Sequence, residues 1–147
     1  MDEISTETMS DSLASEVRVA VARMARRLRQ ERPPHELGLT RMSVLSRLYR
    51  LGPSTPKGLA DAEQVQPQTM TKTLTALDDA GLVERSPHPS DGRQTVITIT
   101  EAGRELVRSD REQRDAWLAG VIQERLSPIE QDLLRVSAKL LSLLADP

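Results

Sequence analysis

Proline enters an α-helix without penalty only in its first turn, and glycine is favoured just past its end. Residues 66–81, Q-P-Q-T-M-T-K-T-L-T-A-L-D-D-A-G, carry Pro67 at one end and Gly81 at the other, which fixes one short helix with both ends marked. Met70, Leu74, Leu77 and Ala80 recur at three- and four-residue spacing and form one apolar stripe. The rest of the helix is polar but almost uncharged. Gln68, Thr69, Thr71, Lys72, Thr73 and Thr75 supply amides and hydroxyls that donate and accept hydrogen bonds, with one cation among them. A solvated face more often carries Glu and Lys pairs, whereas a face that reads base edges needs this inventory. Taken alone, the segment fits a plain surface helix equally well.

The neighbouring residues narrow the choice. Thr55-Pro56 is a cap followed by a first-turn proline and opens a helix to about Ala62, with Leu59 and Ala60 facing inward. The link from Glu63 to Gln66 is short, as when two helices cross steeply in a helix-turn-helix. Downstream, Leu82 to Ser86 reads as a strand, and Val96, Ile97 and Ile99 belong to a second. Between them P-H-P-S-D-G-R, residues 87–93, is dense in turn-formers, so the strands make a hairpin with a protruding loop. The expected fold is mostly α with a small β-hairpin wing: a winged helix-turn-helix domain, with terminal helices forming a dimerisation region.

The runs T-P-K-G-L-A, M-T-K-T-L-T-A-L-D-D-A-G-L-V-E-R, S-D-G-R-Q and V-I-T-I-T-E-A-G-R-E-L, in that order, resemble the MarR family of bacterial transcription regulators. In that family the helix-turn-helix ends in G-L-V-x-R, the wing carries D-x-R and the last strand closes with L-T-x-x-G. Two departures are Ile99-Thr100 for Leu-Thr, and Gly92 where many members have a second arginine. The resemblance implies a homodimer with interlocked terminal helices, and an Asp91 that steadies the wing by pairing with an arginine. It also implies a crevice for small aromatic or phenolic effectors, lined by residues from His35 to Tyr49 and by the helix after Thr100. There Arg41 or Arg47, beside Tyr49, could hold a carboxylate; surface arginines are the plainer reading.

Residues 1–10, mostly Ser, Thr and acids, are expected to be a disordered tail before a single domain spanning 11–147. In that domain 11–32 and 104–147 are the dimerisation helices and 40–103 the winged helix-turn-helix. From Asp11 to Arg32 the residues Leu13, Val17, Ala20, Val21, Met24 and Leu28 keep a helical period, with Arg18, Arg23, Arg26, Arg27 and Arg29 between them. Arg32-Pro33-Pro34 stops that helix, and His35 follows in a loop. Thr40 is expected to cap a helix to about Leu51, with Met42, Leu45, Leu48 and Tyr49 inward. Thr100 is expected to cap a long helix from Glu101 to about Arg125, whose run from Arg108 to Asp115 should be solvated. Ser127-Pro128-Ile129-Glu130 is a capping box that starts a last helix. Its Leu133, Leu134, Val136, Leu140, Leu141, Leu143 and Leu144 exceed what one side of a small helix needs, which points to a second copy of the chain. Trp117 reads as a core or interface anchor.

Composition excludes several classes. One Trp, one Tyr and no Phe in 147 residues leave an aliphatic core. The absence of cysteine rules out disulfides, thiolate metal sites and thiol redox sensing, including the peroxide sensing of some MarR relatives. No apolar run approaches a membrane span and the N-terminus is not of signal-peptide type, so a cytoplasmic location is expected. His35 and His88 stand alone and no glycine-rich phosphate loop is present, so neither catalysis, a metal nor a cofactor is expected. The net charge of −2 is the objection to a DNA partner, but it averages unlike segments. Residues 1–16 hold five acids and no base, while residues 17–50 hold nine arginines against Glu31 and Glu36.

The expected partner is double-stranded DNA, bound as a dimer at a pseudo-palindromic operator with half-sites roughly 10 base pairs apart. Gln68, Thr69 and Lys72 would contact base edges in the major groove. Ser54, Thr55, Lys57, Thr71, Thr73 and Thr75 would contact phosphates, and Arg93 at the wing tip would enter the minor groove. The expected activity is that of a transcription regulator, of the repressor kind, with a small-molecule effector. The competing reading is a winged helix used for protein contact without sequence-specific DNA binding.

Overall fold

The computed structural model describes residues 3–31 and 37–145. His35 and the Arg32-Pro33-Pro34 stop lie outside the described residues. The chain forms two compact units, one from Met1–Arg32 with Gln113–Pro147 and the other from Pro33–Glu112. The elements in order are α1 (Glu3–Gln30), α2 (Leu39–Leu51), α3 (Pro56–Glu63), α4 (Pro67–Asp79), β1 (Val83–Pro87), β2 (Thr95–Ile99), α5 (Glu101–Arg125) and α6 (Pro128–Ala145).

The second unit holds the aliphatic core. Met42, Val44, Leu45 and Leu48 of α2, Leu59 and Ala60 of α3, and Met70, Leu74 and Leu77 of α4 are buried together with Val83, Ile97, Ile99 and Val107. Strands β1 and β2 pair antiparallel, with Val83 opposite Ile99 and Pro87 opposite Thr95. Ser54 adds a single bridge to β2, its N–H and C=O bonding the Ile97 C=O and N–H at 3.1 and 2.8 Å. That bridge ties the entry to α3 onto the wing.

Both ends of α4 match their sequence signals. Pro67 is its first residue, and Gly81 follows the Ala80 cap with φ +70. The Gly81 N–H donates to the Asp78 carbonyl at 2.8 Å and the Leu82 N–H to the Leu77 carbonyl at 2.9 Å, which is the Schellman pattern. The Thr55 hydroxyl accepts from the Gly58 N–H at 3.1 Å and starts α3 as expected. Thr40 does not cap α2. The helix begins at Leu39 behind Gly38, whose extended backbone lets its carbonyl accept from the Arg41 and Met42 N–H groups. The turn between α3 and α4 passes through Gln64 in the left-handed region, φ +53.

Thr100 joins three elements. Its hydroxyl donates to the Gly81 carbonyl at 2.7 Å and accepts from the Gly103 N–H at 3.1 Å, while its own N–H donates to the Leu82 carbonyl at 3.1 Å. Gly103 is buried there because a Cβ would lie 2.3 Å from the Leu82 oxygen and 2.7 Å from Ile99 Cγ1. One charge in the run Arg108–Asp115 is not solvated: Asp110 is 1% exposed, and it is engaged rather than free. Gly103, Val107 and Asp110 follow one another at helical spacing on the buried side of α5, so its position carries it inward.

In the first unit, α1 begins at Glu3, ahead of the Asp11 start that the apolar period marks; propagation needs only one more bond per residue once a helix exists. Arg27 lies 5.3 Å from the centroid of the half-buried Trp117 ring. The α6 capping box is complete: the Ser127 N–H and hydroxyl each donate to the Glu130 carboxylate at 2.8 Å, holding it below the usual carboxylate range. No residue of α6 is buried, and Ile129, Leu143 and Leu144 are 74, 71 and 78% exposed.

The close approach at Gly103 gives a direct test. Gly103→Ala should destabilise the chain by about 1–3 kcal/mol, because the clash is with backbone and overpacking a well-filled site costs this order. Denaturant unfolding measures it, and a loss below about 0.5 kcal/mol would mean that α5 does not sit this close to Leu82.

Candidate nucleic-acid interface

The buried side of α4, Met70, Thr73, Leu74 and Leu77, fixes what the helix presents outward. At 3.6 residues per turn the opposite face carries Gln68, Lys72, Thr75 and Asp79, with Thr69 and Thr71 on its shoulders. All six are exposed. Thr71 returns its hydroxyl to the Pro67 carbonyl at 2.9 Å, so its donor is in use along the helix while its lone pairs remain open. Asp78 and Asp79 put two acids at the C-terminal end, which confines favourable approach of a polyanion to the first turns around Gln68 and Lys72.

Two expected members of the α4 face are corrected. Thr73 is 8% exposed and belongs to the core side, so it does not stand in the outward row with Thr71 and Thr75. A stripe through positions 70, 74 and 77 at helical spacing necessarily covers position 73 too. Ala80, expected on the stripe, is exposed. It stands at the cap, where the chain already leaves the helix.

Before α4, Lys57 is exposed, whereas Ser54 and Thr55 are half-buried. The Thr55 oxygen is occupied by its cap bond, which leaves its hydroxyl proton for a partner.

The wing tip is shaped by Asp91. Its carboxylate accepts from the Arg93 N–H at 3.1 Å and from the Gln94 side-chain amide at 3.3 Å, an Asx turn closed by the Gln94 N–H on the Asp91 carbonyl at 2.9 Å. Asp91 thus holds the loop through a backbone N–H and a side-chain amide, and among the described residues no arginine side chain is its partner. His88 N–H bonds the Gln94 carbonyl at 2.8 Å and closes the loop. Arg93 itself is exposed, with its backbone fixed by Asp91.

The arginine of G-L-V-E-R has a different role, with no local signature in the sequence. Arg85 on β1 donates from Nε to Asp78 on α4 at 3.2 Å, tying the wing strand to the end of the outward-facing helix. Arg47, expected at an effector site, is likewise committed. It bonds Glu63 at 3.0 Å, and Ser43 donates to the other oxygen of that carboxylate at 2.6 Å. Arg41 is half-buried at the start of α2, and half-buried Tyr49 has Arg104 and Arg111 at 6.0 and 5.3 Å from its ring centroid.

A polar helix face beside a braced hairpin, both carried on a three-helix core, defines a winged helix-turn-helix protein of the DNA-binding kind. Comparison with known proteins agrees. Residues 37–95 match the model of the MarR family. An HTH-type transcriptional regulator of Mycobacterium tuberculosis is 42% identical over 137 residues, covering 91% of this chain and 93% of the relative; one from Mycobacterium leprae is 40% identical over the same length. Among solved structures, a transcriptional regulator protein of Pseudomonas aeruginosa superposes with TM-score 0.81 at 30% identity, over 92% of this chain and 95% of that one. A mutant of MarR from E. coli shares the fold with TM-score 0.72 at 22% identity, over 88% and 95%. The chain belongs to the MarR family, and it is a DNA-binding transcription regulator and not an enzyme.

If Asp91 shapes the wing as described, Asp91→Ala should leave global stability within about 0.5 kcal/mol, since the loop is exposed. The Arg93 amide should lose its acceptor and exchange hydrogen faster, as read by NMR. Unchanged exchange at Arg93 would refute the Asx turn.

Proposed function

We propose that the chain acts as a homodimeric, sequence-specific regulator of the repressor type, with the two copies of α4 entering successive major grooves of a pseudo-palindromic operator. The observation that carries this reading is the exposed row Gln68, Lys72 and Thr75 opposite the buried stripe of α4, next to an exposed Arg93 on a braced wing. Gln68 can bond adenine in both directions and Lys72 can reach guanine acceptors, with Thr69 at the shoulder of the same turns. Lys57, Thr71 and Thr75, together with the Ser54 and Thr55 hydroxyls, supply phosphate contacts, and Arg93 enters the adjacent minor groove. A protein-contact module would be expected to expose aromatic or large apolar anchors, and the outward side of α4 carries none. The apolar surface for a second copy is instead on α6, far along the chain.

Release by a small aromatic or phenolic effector would draw on Arg41 and Tyr49, since Arg47 is held by Glu63. Such a ligand shifts DNA affinity only if it binds one dimer geometry better than another.

Gln68→Ala and Arg93→Ala separate the two readout roles. The first should cost about 1–3 kcal/mol at one base position of the operator, and the second should weaken binding with loss of A·T preference in the flank. Titration against single-base operator variants measures both; equal, sequence-independent losses would overturn the assignment.

A further inference from the structure

The start of α2 carries an electrostatic imbalance that the DNA-reading face does not use. Helix N-termini are partially positive, and acids or capping side chains usually compensate them. Here Gly38 caps without a side chain, and the first turn holds no acid. It holds a cation instead, Arg41, which is half-buried and has no acid partner among the described residues. The N–H groups of Leu39 and Thr40 have no acceptor among the described residues either. Gly38, Leu39, Thr40 and Arg41 line an open hollow of about 390 Å³.

The independent sign comes from another helix. Thr73 of α4 lines the same hollow and is 8% exposed. Its hydroxyl makes no hydrogen bond among the described residues, including to the carbonyl one turn back, where helical threonines commonly bond. A buried hydroxyl without a partner is costly in a finished core, and this residue lines the same hollow as Leu39, Thr40 and Arg41.

We propose that this hollow binds a tetrahedral oxyanion of phosphate or sulfate type. Its donors are the Leu39 and Thr40 amides, the Arg41 guanidinium and the Thr73 hydroxyl. The oxyanion can come from two sources, a backbone phosphate of bound duplex or a free anion. Only the duplex source rests on the DNA-binding reading above.

The test uses the full chain as wild type, Arg41→Gln and Thr73→Val. Valine keeps the shape of threonine and removes the unpaired hydroxyl, so that variant should fold with an equal or higher midpoint in chloride. Thermal unfolding is compared in inorganic phosphate and in chloride at matched ionic strength. The wild-type midpoint should rise in phosphate, and both variants should lose most of that rise. The salt dependence of duplex binding then identifies the source. A slope lower by about one phosphate contact per half-site in both variants, uniform across sequences, assigns a backbone phosphate; an unchanged slope with a lost midpoint rise assigns a free anion. A phosphate rise that both variants retain overturns the site, as does no rise in the wild type together with unchanged slopes. Should the wild type bind no duplex, the DNA-binding reading fails, and the midpoint arm alone decides the site.

Discussion

The fold turns on the place where α4, the wing and α5 meet with no side chain to spare. Gly103 has no Cβ because the Leu82 carbonyl occupies that position, and the vacancy lets Thr100 reach back to the Gly81 carbonyl. One hydroxyl thus closes the end of α4 and opens α5. Arg85 adds a second tie from the wing to Asp78 of α4. On the proposed function these contacts matter because a base-reading helix and a minor-groove arginine are useful only at fixed relative positions, where errors of an ångström break hydrogen bonds. The tie through Arg85 is half-exposed and contributes little stability, so the junction at Thr100 carries most of the constraint.

Much of this was legible in the residues. Pro67, Gly81, Thr55 and Thr100 mark helix ends by local backbone chemistry, and each stands where that chemistry places it. The signals that misled were local as well. Thr40 has a capping side chain, but a glycine in extended backbone two residues earlier starts the helix without one. Thr73 is chemically suited to a phosphate, yet its position between Met70 and Leu77 puts it on the buried side. The left-handed turn at Gln64 has no glycine or asparagine to announce it, and it is closed by the Gln64 and Val65 N–H groups on the Asp61 and Ala60 carbonyls. The pairs Arg47–Glu63 and Arg85–Asp78 join residues on different elements, and no spacing rule connects them.

The charge distribution reconciles a net charge of −2 with a nucleic-acid partner. Asp78 and Asp79 face solvent at the end of α4 and residues 1–16 hold five acids, while Lys57, Lys72 and Arg93 are exposed cations around α4 and the wing. Few cations against a polyanion give modest non-specific affinity, so on the proposed function discrimination falls to the hydrogen-bonding side chains of α4, in keeping with its polar, nearly uncharged composition. The large apolar residues exposed on α6 fit the second copy proposed above, which would double the weak reading of one helix into two half-sites.

The central claim is that two copies of α4 read duplex DNA in a fixed two-fold geometry. Selection from random duplex DNA by the purified protein, repeated at two salt concentrations, tests it most directly. The account predicts enrichment of a near-palindrome with half-site centres one helical turn apart, sharper at the higher salt as non-specific binding falls away. Absence of enrichment at both salts, or enrichment of a single unrepeated half-site, would contradict it.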